Sequence, residues 1–195
     1  VHTYPFHDTY YNPSFWTGIP VNESSSNDER IKDAMTRSSN YAISQFESVK
    51  NYIKNLGVNK PIHIGETGWA SISSDNYGQN GTRAADEYKQ YLYYSNMIDY
   101  GNKNNISIFY FSAFDEPWKD FNNPNGSENH FGLFTVDGKA KYAMWRNLDK
   151  GLLNGLGRND LEISKTYRGK RKNMMIDVLT PNKKNKWRNW LFLFH

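Results

Sequence analysis

Pro61-Ile62-His63-Ile64-Gly65-Glu66-Thr67-Gly68-Trp69 reads as a short strand that ends in a carboxylate. Pro61 opens the run, and Ile62 and Ile64 share one face in a period-2 pattern. The strand delivers Glu66 to its C-terminal lip, beside Gly65, Gly68 and Trp69. An ionised side chain in a buried strand costs several kcal/mol unless it is paired. Glu66 is therefore either half of a structural ion pair or a functional carboxylate. For an isolated glutamate the ion pair is the better reading, and the rest of the chain decides between the two.

Upstream, residues 39–56 carry Ala42, Phe46, Val49, Ile53 and Leu56 at a 4-3-4-3 spacing closed by Gly57, which predicts an amphipathic helix. Residues 7–37 are polar and contain two prolines and a Ser/Asn/Asp/Glu cluster, so they read as a long surface loop. Residues 1–6 have strand-like residue types and break at Pro5. Downstream, a Gly/Ser/Asn-rich loop over 71–82 leads to a helix over about 83–100, with Tyr88, Tyr91, Leu92, Ser95 and Ile98 on one face and Gly101 at its end. Residues 106–114 are β-branched and aromatic, and they run into Asp115-Glu116-Pro117-Trp118. This is a second acidic strand end. After a loop, Asp137-Gly138 signals a turn, and a short helix follows over 139–148. Strands alternating with helices imply a parallel sheet. Conspicuous residues at the C-terminal ends of such strands tend to be catalytic in a β/α barrel.

Composition narrows the classes. The chain has 195 residues with 14 Tyr and 6 Trp, a supply of flat rings that suits sugar-binding surfaces as well as cores. It has no Cys, which excludes disulfides, thiolate nucleophiles and Cys-based zinc sites. The formal charge of +4 is accounted for by Lys183, Lys184, Lys186 and Arg188, so the body is neutral and carries no nucleic-acid footprint. His2, His7, His63 and His130 lack the spacing of a helical metal pair, and no metal or cofactor is expected.

Taken together, Tyr4-Pro5-Phe6, Glu66-Thr67-Gly68-Trp69 and Phe114-Asp115-Glu116-Pro117-Trp118 resemble glycoside hydrolase family 17, the β-1,3-glucanases and β-1,3-glucan glucosyltransferases of clan A. The resemblance covers residues 1 to about 145 and extends weakly to Pro181. It implies an α/β fold in which these three strands are about the sixth to eighth of a (β/α)8 TIM barrel, incomplete as given. It also implies that Glu66 is the nucleophile of a retaining hydrolase, which attacks the anomeric carbon while a second carboxyl protonates the leaving oxygen from roughly 5 Å away. Trp69 is implied to form a sugar-stacking wall, and Tyr4 to hydrogen-bond the nucleophile. Phe6, Phe114 and Trp118 are implied to line the cleft, with Glu116 and Lys119 as substrate-positioning or ion-paired groups. Asp115 and Glu116 are neighbours on a strand, so only one of them faces the site.

The family's general acid lies in an Asn-Glu pair on a strand upstream of anything in this chain. The one such pair here, Asn22-Glu23, sits in the polar stretch and reads as surface. The expected organisation is residues 1–150 as the C-terminal half of a barrel, 151–181 as an extension packing on it, and 182–195 as a basic and aromatic tail outside the fold. The tail reads as a gene-end artefact rather than a membrane-surface anchor. The substrate is expected to be a laminarin-type β-1,3-glucan, met outside the cell or in its envelope. Transglycosylation and non-catalytic glucan binding are the alternatives. A half-barrel leaves open strand edges, so self-association is expected.

Overall fold

The computed structural model describes residues 1–18, 25–158 and 160–182. Two parallel strands form the sheet, β1 (Ile64–Thr67) and β2 (Ile108–Tyr110). On its other side β1 is flanked by residues 1–3. Gly65 donates its N–H to the Val1 carbonyl at 2.8 Å, and the Thr3 N–H bonds the Glu66 carbonyl at 3.0 Å. Beyond β2 the chain runs alongside residues 131–134, with a parallel bridge between Phe114 and Phe134. The parallel strand–helix alternation is present. The second strand is three residues long, where the sequence suggests nine.

The helices depart further from expectation. Residues 7–37 are not one long loop. Pro5 does not only end the first extended stretch but occupies the first turn of α1 (Pro5–Tyr11), where its missing N–H costs nothing. The 29-residue α2 (Asn27–Asn55) starts twelve residues before the predicted helix. Its start is a capping box: the Glu29 N–H bonds the Ser26 hydroxyl, and the Ser26 N–H bonds the Glu29 carboxylate. The core-facing stripe runs back through Ala42, Ser38, Ala34 and Ile31. Its serines hide their hydroxyls on the carbonyls of Ala34 and Met35, so the stripe is polar in composition and apolar in effect. At the other end Val49 and Leu56 are exposed.

The next helix, α3 (Glu87–Asn104), is capped by the Asp86 side chain and ends at Asn105 in the left-handed region. Of the expected stripe Tyr88 is buried while Tyr91, Leu92, Ser95 and Ile98 are half-buried, and the fully buried face runs through Gln90, Tyr93, Met97 and Gly101. Gly101 lies inside the helix, where the Ile106 carbonyl would stand 2.8 Å from an added Cβ. The remaining elements are α4 (Tyr142–Asp149), a hairpin of β3 (Gly157–Arg158) and β4 (Leu161–Glu162), and α5 (Arg171–Met174). The last part of the chain is stitched to the body at Ala140, which bonds Ser164 and Thr166.

The main core lies between the sheet and the helices and gathers Phe6, Trp16, Met35, Phe46, Ile64, Trp69, Tyr93 and Met97. A smaller cluster around Ala140, Met144 and Trp145 packs beneath α4. Among the described residues no helix is long and apolar enough to cross a membrane. Asn22-Glu23 and residues 183–195 lie outside the described residues.

Candidate active site

Strict alternation from Ile64 would carry Glu66 under the helices. A register shift between Ile64 and Thr67 prevents this and turns Thr67 into the core instead. The Thr67 hydroxyl bonds the Thr3 carbonyl at 2.8 Å and the Tyr93 hydroxyl at 2.6 Å, so it ties three segments together. Gly68 is required by close approach, since an added Cβ would stand 2.2 Å from the Phe111 carbonyl oxygen. With its neighbours fixed on both sides, Glu66 projects from the strand end with a side chain 43% exposed. The Tyr4 hydroxyl donates to Glu66 Oε2 at 3.0 Å, and His2 Nδ1 lies 3.4 Å from the same oxygen. Burial first, and then the Glu66 carboxylate, push the Tyr4 phenol far above its ordinary range. Tyr4 is therefore a permanent donor to Glu66.

The second strand end is built differently. Asp115 turns inward and accepts from the buried Lys141 ammonium at 2.6 Å and from the Gly132 N–H at 3.1 Å. Lys141 also donates to the Ser71 hydroxyl at 2.7 Å. Burial pulls the Lys141 pKa down against the pull of Asp115. Of the two acidic neighbours Asp115 is thus structural, and Glu116 faces the other way. Glu116 meets Lys119 at 3.5 Å, and the Lys119 ammonium sits 4.1 Å over the Phe111 ring. That contact is ionic without being a hydrogen bond, and Glu116 Oε2 is buried with no hydrogen-bond partner. The rings of Phe111 and Phe131 pack edge-on against Tyr4 and join the two strand ends into one face.

Two expected site residues are corrected. Trp69 is fully buried among Phe6, Trp16 and Tyr93 and donates its indole N–H to the Ala84 carbonyl, so it is a core residue and not a sugar-stacking wall. Phe6 is likewise fully buried and lines no cleft. Trp118, 66% exposed, and the partly exposed Phe114 remain at the surface. Sequence reasoning missed His7, Tyr77 and Glu128, which join this face next to Tyr4. No periodicity marks them. A concave recess lined by Ser71, Arg83, Asp86 and Tyr167 includes neither Glu66 nor Glu116, and the Glu66 side chain is 43% exposed. Among the described residues no group of His, Cys, Asp and Glu could hold a metal ion.

Comparison with known proteins places the chain in a family. The family model of the glycosyl hydrolases family 17 matches residues 30–145, which include Glu66 and Glu116. The chain belongs to that family. Its structure resembles the crystal structure of an endo-laminarinase from Formosa Hel1_33_131, with a TM-score of 0.90 and 54% identity over 95% of this chain and 47% of that one. A glucan 1,3-beta-glucosidase of Arthroderma benhamiae is 39% identical over 88 residues, 42% of this chain and 27% of the relative. The acidic isoform PR-O of glucan endo-1,3-beta-glucosidase from Nicotiana tabacum is 32% identical over 99 residues, 45% of this chain and 54% of the relative. The family 17 chain thus spans between about a quarter and about half of the length of these relatives.

Proposed function

We propose that this family 17 chain carries the nucleophile side of a retaining β-1,3-glucan hydrolase. Glu66 attacks the anomeric carbon of a laminarin-type chain as the glycosidic C–O bond breaks and the leaving sugar takes a proton from the general acid; water then hydrolyses the glycosyl–enzyme ester and frees the carboxylate. The observation that carries this reading is the Tyr4–Glu66 pair: a carboxylate at a strand end, framed by Thr67 and Gly68 and held by a phenol that keeps its proton. Preorganised donors of this kind keep a nucleophile aimed at no reorganisation cost during reaction. The general acid belongs to the part of the family's barrel that precedes the sixth strand, and the three extended segments here take the sixth to eighth places of that (β/α)8 barrel.

Glu116 Oε2 faces the Lys119 ammonium at 3.5 Å without a hydrogen bond, which leaves it free to accept one from a sugar hydroxyl and supports a substrate role. Glu116 and Lys119 position the glucan, and Trp118 and Phe114 give it flat apolar faces. Residues 151–181 act as an extension packed on this unit. The exposed ring of Phe109 on β2 favours self-association. A polysaccharide substrate of this class places the enzyme outside the cell or in its envelope.

The test compares two substrates on the purified chain. A dinitrophenyl β-laminaribioside has a leaving group that departs unaided, whereas a laminari-oligosaccharide needs the acid. Turnover of the activated glycoside alone, lost in Glu66→Gln, is the expected result. Turnover of neither would leave glucan binding without catalysis.

A further inference from the structure

The chain from Thr166 to Asn182 forms a strap against the loop that follows β1, and it is tied down at both ends. At its start the Thr166 hydroxyl donates to the carboxylate of Glu87, the first residue of α3, at 2.8 Å. At its end the Asn182 N–H bonds the Thr82 carbonyl at 3.0 Å. Between the two, Met174 is sunk into the main core. Loop and strap are therefore held against each other at three points. The recess between them has a volume of about 350 Å³, which falls within the range of small-ligand sites.

The lining of the recess suits a sugar. Arg83 enters from the loop and Tyr167 from the strap, and both residues adopt the left-handed region, at φ 60° and 50°. Neither is a glycine, so both positions are strained, and strain of this kind gathers at ligand clamps. The Tyr167 ring is partly exposed, and Ile72 and Ile176 add exposed apolar surface from the two walls. Arg83 donates its Nε–H to the Gln79 carbonyl at 3.2 Å, while its terminal amino groups make no hydrogen bond or ion pair among the described residues. The Asp177 carboxylate makes none either, whereas Asp86 is committed to Lys89 and to the cap of α3. A donor fork, an acceptor and a flat ring, with no excess of charge, match the paired hydroxyls and apolar face of a glucosyl unit. Asp177 alone does not supply the two carboxyls that glycoside hydrolysis uses, so a sugar held here stays intact.

We propose that this recess is a second glucan-binding site, which holds a stretch of polymer that Glu66 does not cut. The choice of β-1,3-glucan as its ligand rests on the hydrolase reading above. The position of the recess fits that choice: the loop leaving the nucleophile's strand forms one wall, and Ser71 in that wall accepts from Lys141, which holds Asp115 beside Glu116.

Affinity electrophoresis of the whole chain through laminarin gels tests the site. Tyr167→Gly and Arg83→Asn remove the ring and the guanidinium with residues that accept a left-handed backbone. In a Trp118→Ala chain, which lacks the exposed ring near Glu116, laminarin should still retard migration. Adding Tyr167→Gly or Arg83→Asn should weaken that retardation about tenfold, the scale of one hydrogen bond to a charged group. As single variants the two should turn over dinitrophenyl β-laminaribioside with the wild-type kcat/KM. Unchanged retardation in both variants, or none in the Trp118→Ala chain, overturns the proposal. A fall in turnover in the single variants would make the recess part of the cleft and overturn it equally. A chain that laminarin retards through Tyr167 but that releases no dinitrophenol counts against the hydrolase reading and leaves the second site standing.

Discussion

Two carboxylates stand at the ends of adjacent strands, and they are held by opposite means. Glu66 is placed by its backbone: Thr67 is pinned by two hydroxyl bonds, Gly68 is pressed against the Phe111 carbonyl, and the carboxylate itself meets Tyr4 and His2. Glu116 is placed by charge: its neighbour Asp115 is clamped by the buried Lys141, and its own contact is the Lys119 ammonium. The first arrangement rests on hydroxyl hydrogen bonds to residues 26 to 64 positions away and on a close backbone approach. The second depends on a side chain 26 residues away and on a buried ion pair, whose two halves are stable only together.

The largest effect should come from breaking that clamp. Lys141→Met leaves Asp115 buried and uncompensated and should cost about 3–5 kcal/mol, read as a lower midpoint in urea unfolding. Gly68→Ala attacks the other strand end. Its Cβ meets a backbone oxygen that cannot move aside, so a loss of about 1–3 kcal/mol is expected, with any remaining activity impaired through Glu66. An unchanged midpoint would show that the close approach relaxes freely. Tyr4→Phe should leave stability nearly intact and lower kcat/KM for an activated glycoside by about tenfold or more, the worth of one bond to a carboxylate. Trp118→Ala removes an exposed ring and should weaken laminari-oligosaccharide binding while the unfolding midpoint moves by less than about 0.5 kcal/mol.

The smallest effect concerns pH. The folded-state pKa of His7 is lowered from 6.5, so as the pH falls below about 6.5 the unfolded chain takes up a proton before the folded one does. Stability contributed at neutral pH is therefore lost on acidification through that window. His7→Gln should flatten the slope between pH 6.5 and the lower folded value, measured as the urea midpoint against pH.

The same contrast explains what the sequence made legible. Glu66-Thr67-Gly68-Trp69 could be read because its residue types alone signal a strand that ends in a carboxylate beside a glycine, although the groups that hold it, Thr3, Tyr4, Tyr93 and Phe111, lie far along the chain. The parallel alternation of strands and helices was readable for the same reason. The partner of Asp115 was not, because nothing near Asp115 in the chain points to Lys141. Nor was the pairing of His7 with Glu128, which only the folded chain brings together. The early turns of α2 escaped notice because Ser38 and Ser39 satisfy their hydroxyls on their own helix, so a buried stripe looks polar. Trp69 was misassigned because an aromatic ring at a strand end serves equally as a cleft wall or as core, and only its burial distinguishes them.

The central claim is that Glu66 forms the covalent intermediate. A 2-deoxy-2-fluoro-laminaribiosyl fluoride, whose leaving group needs no acid, would trap that intermediate for peptide mass spectrometry. The account predicts one glycosyl adduct, on the peptide containing Glu66, absent from Glu66→Gln. An adduct on Glu116 or Glu128, or the same labelling in Glu66→Gln, would contradict it.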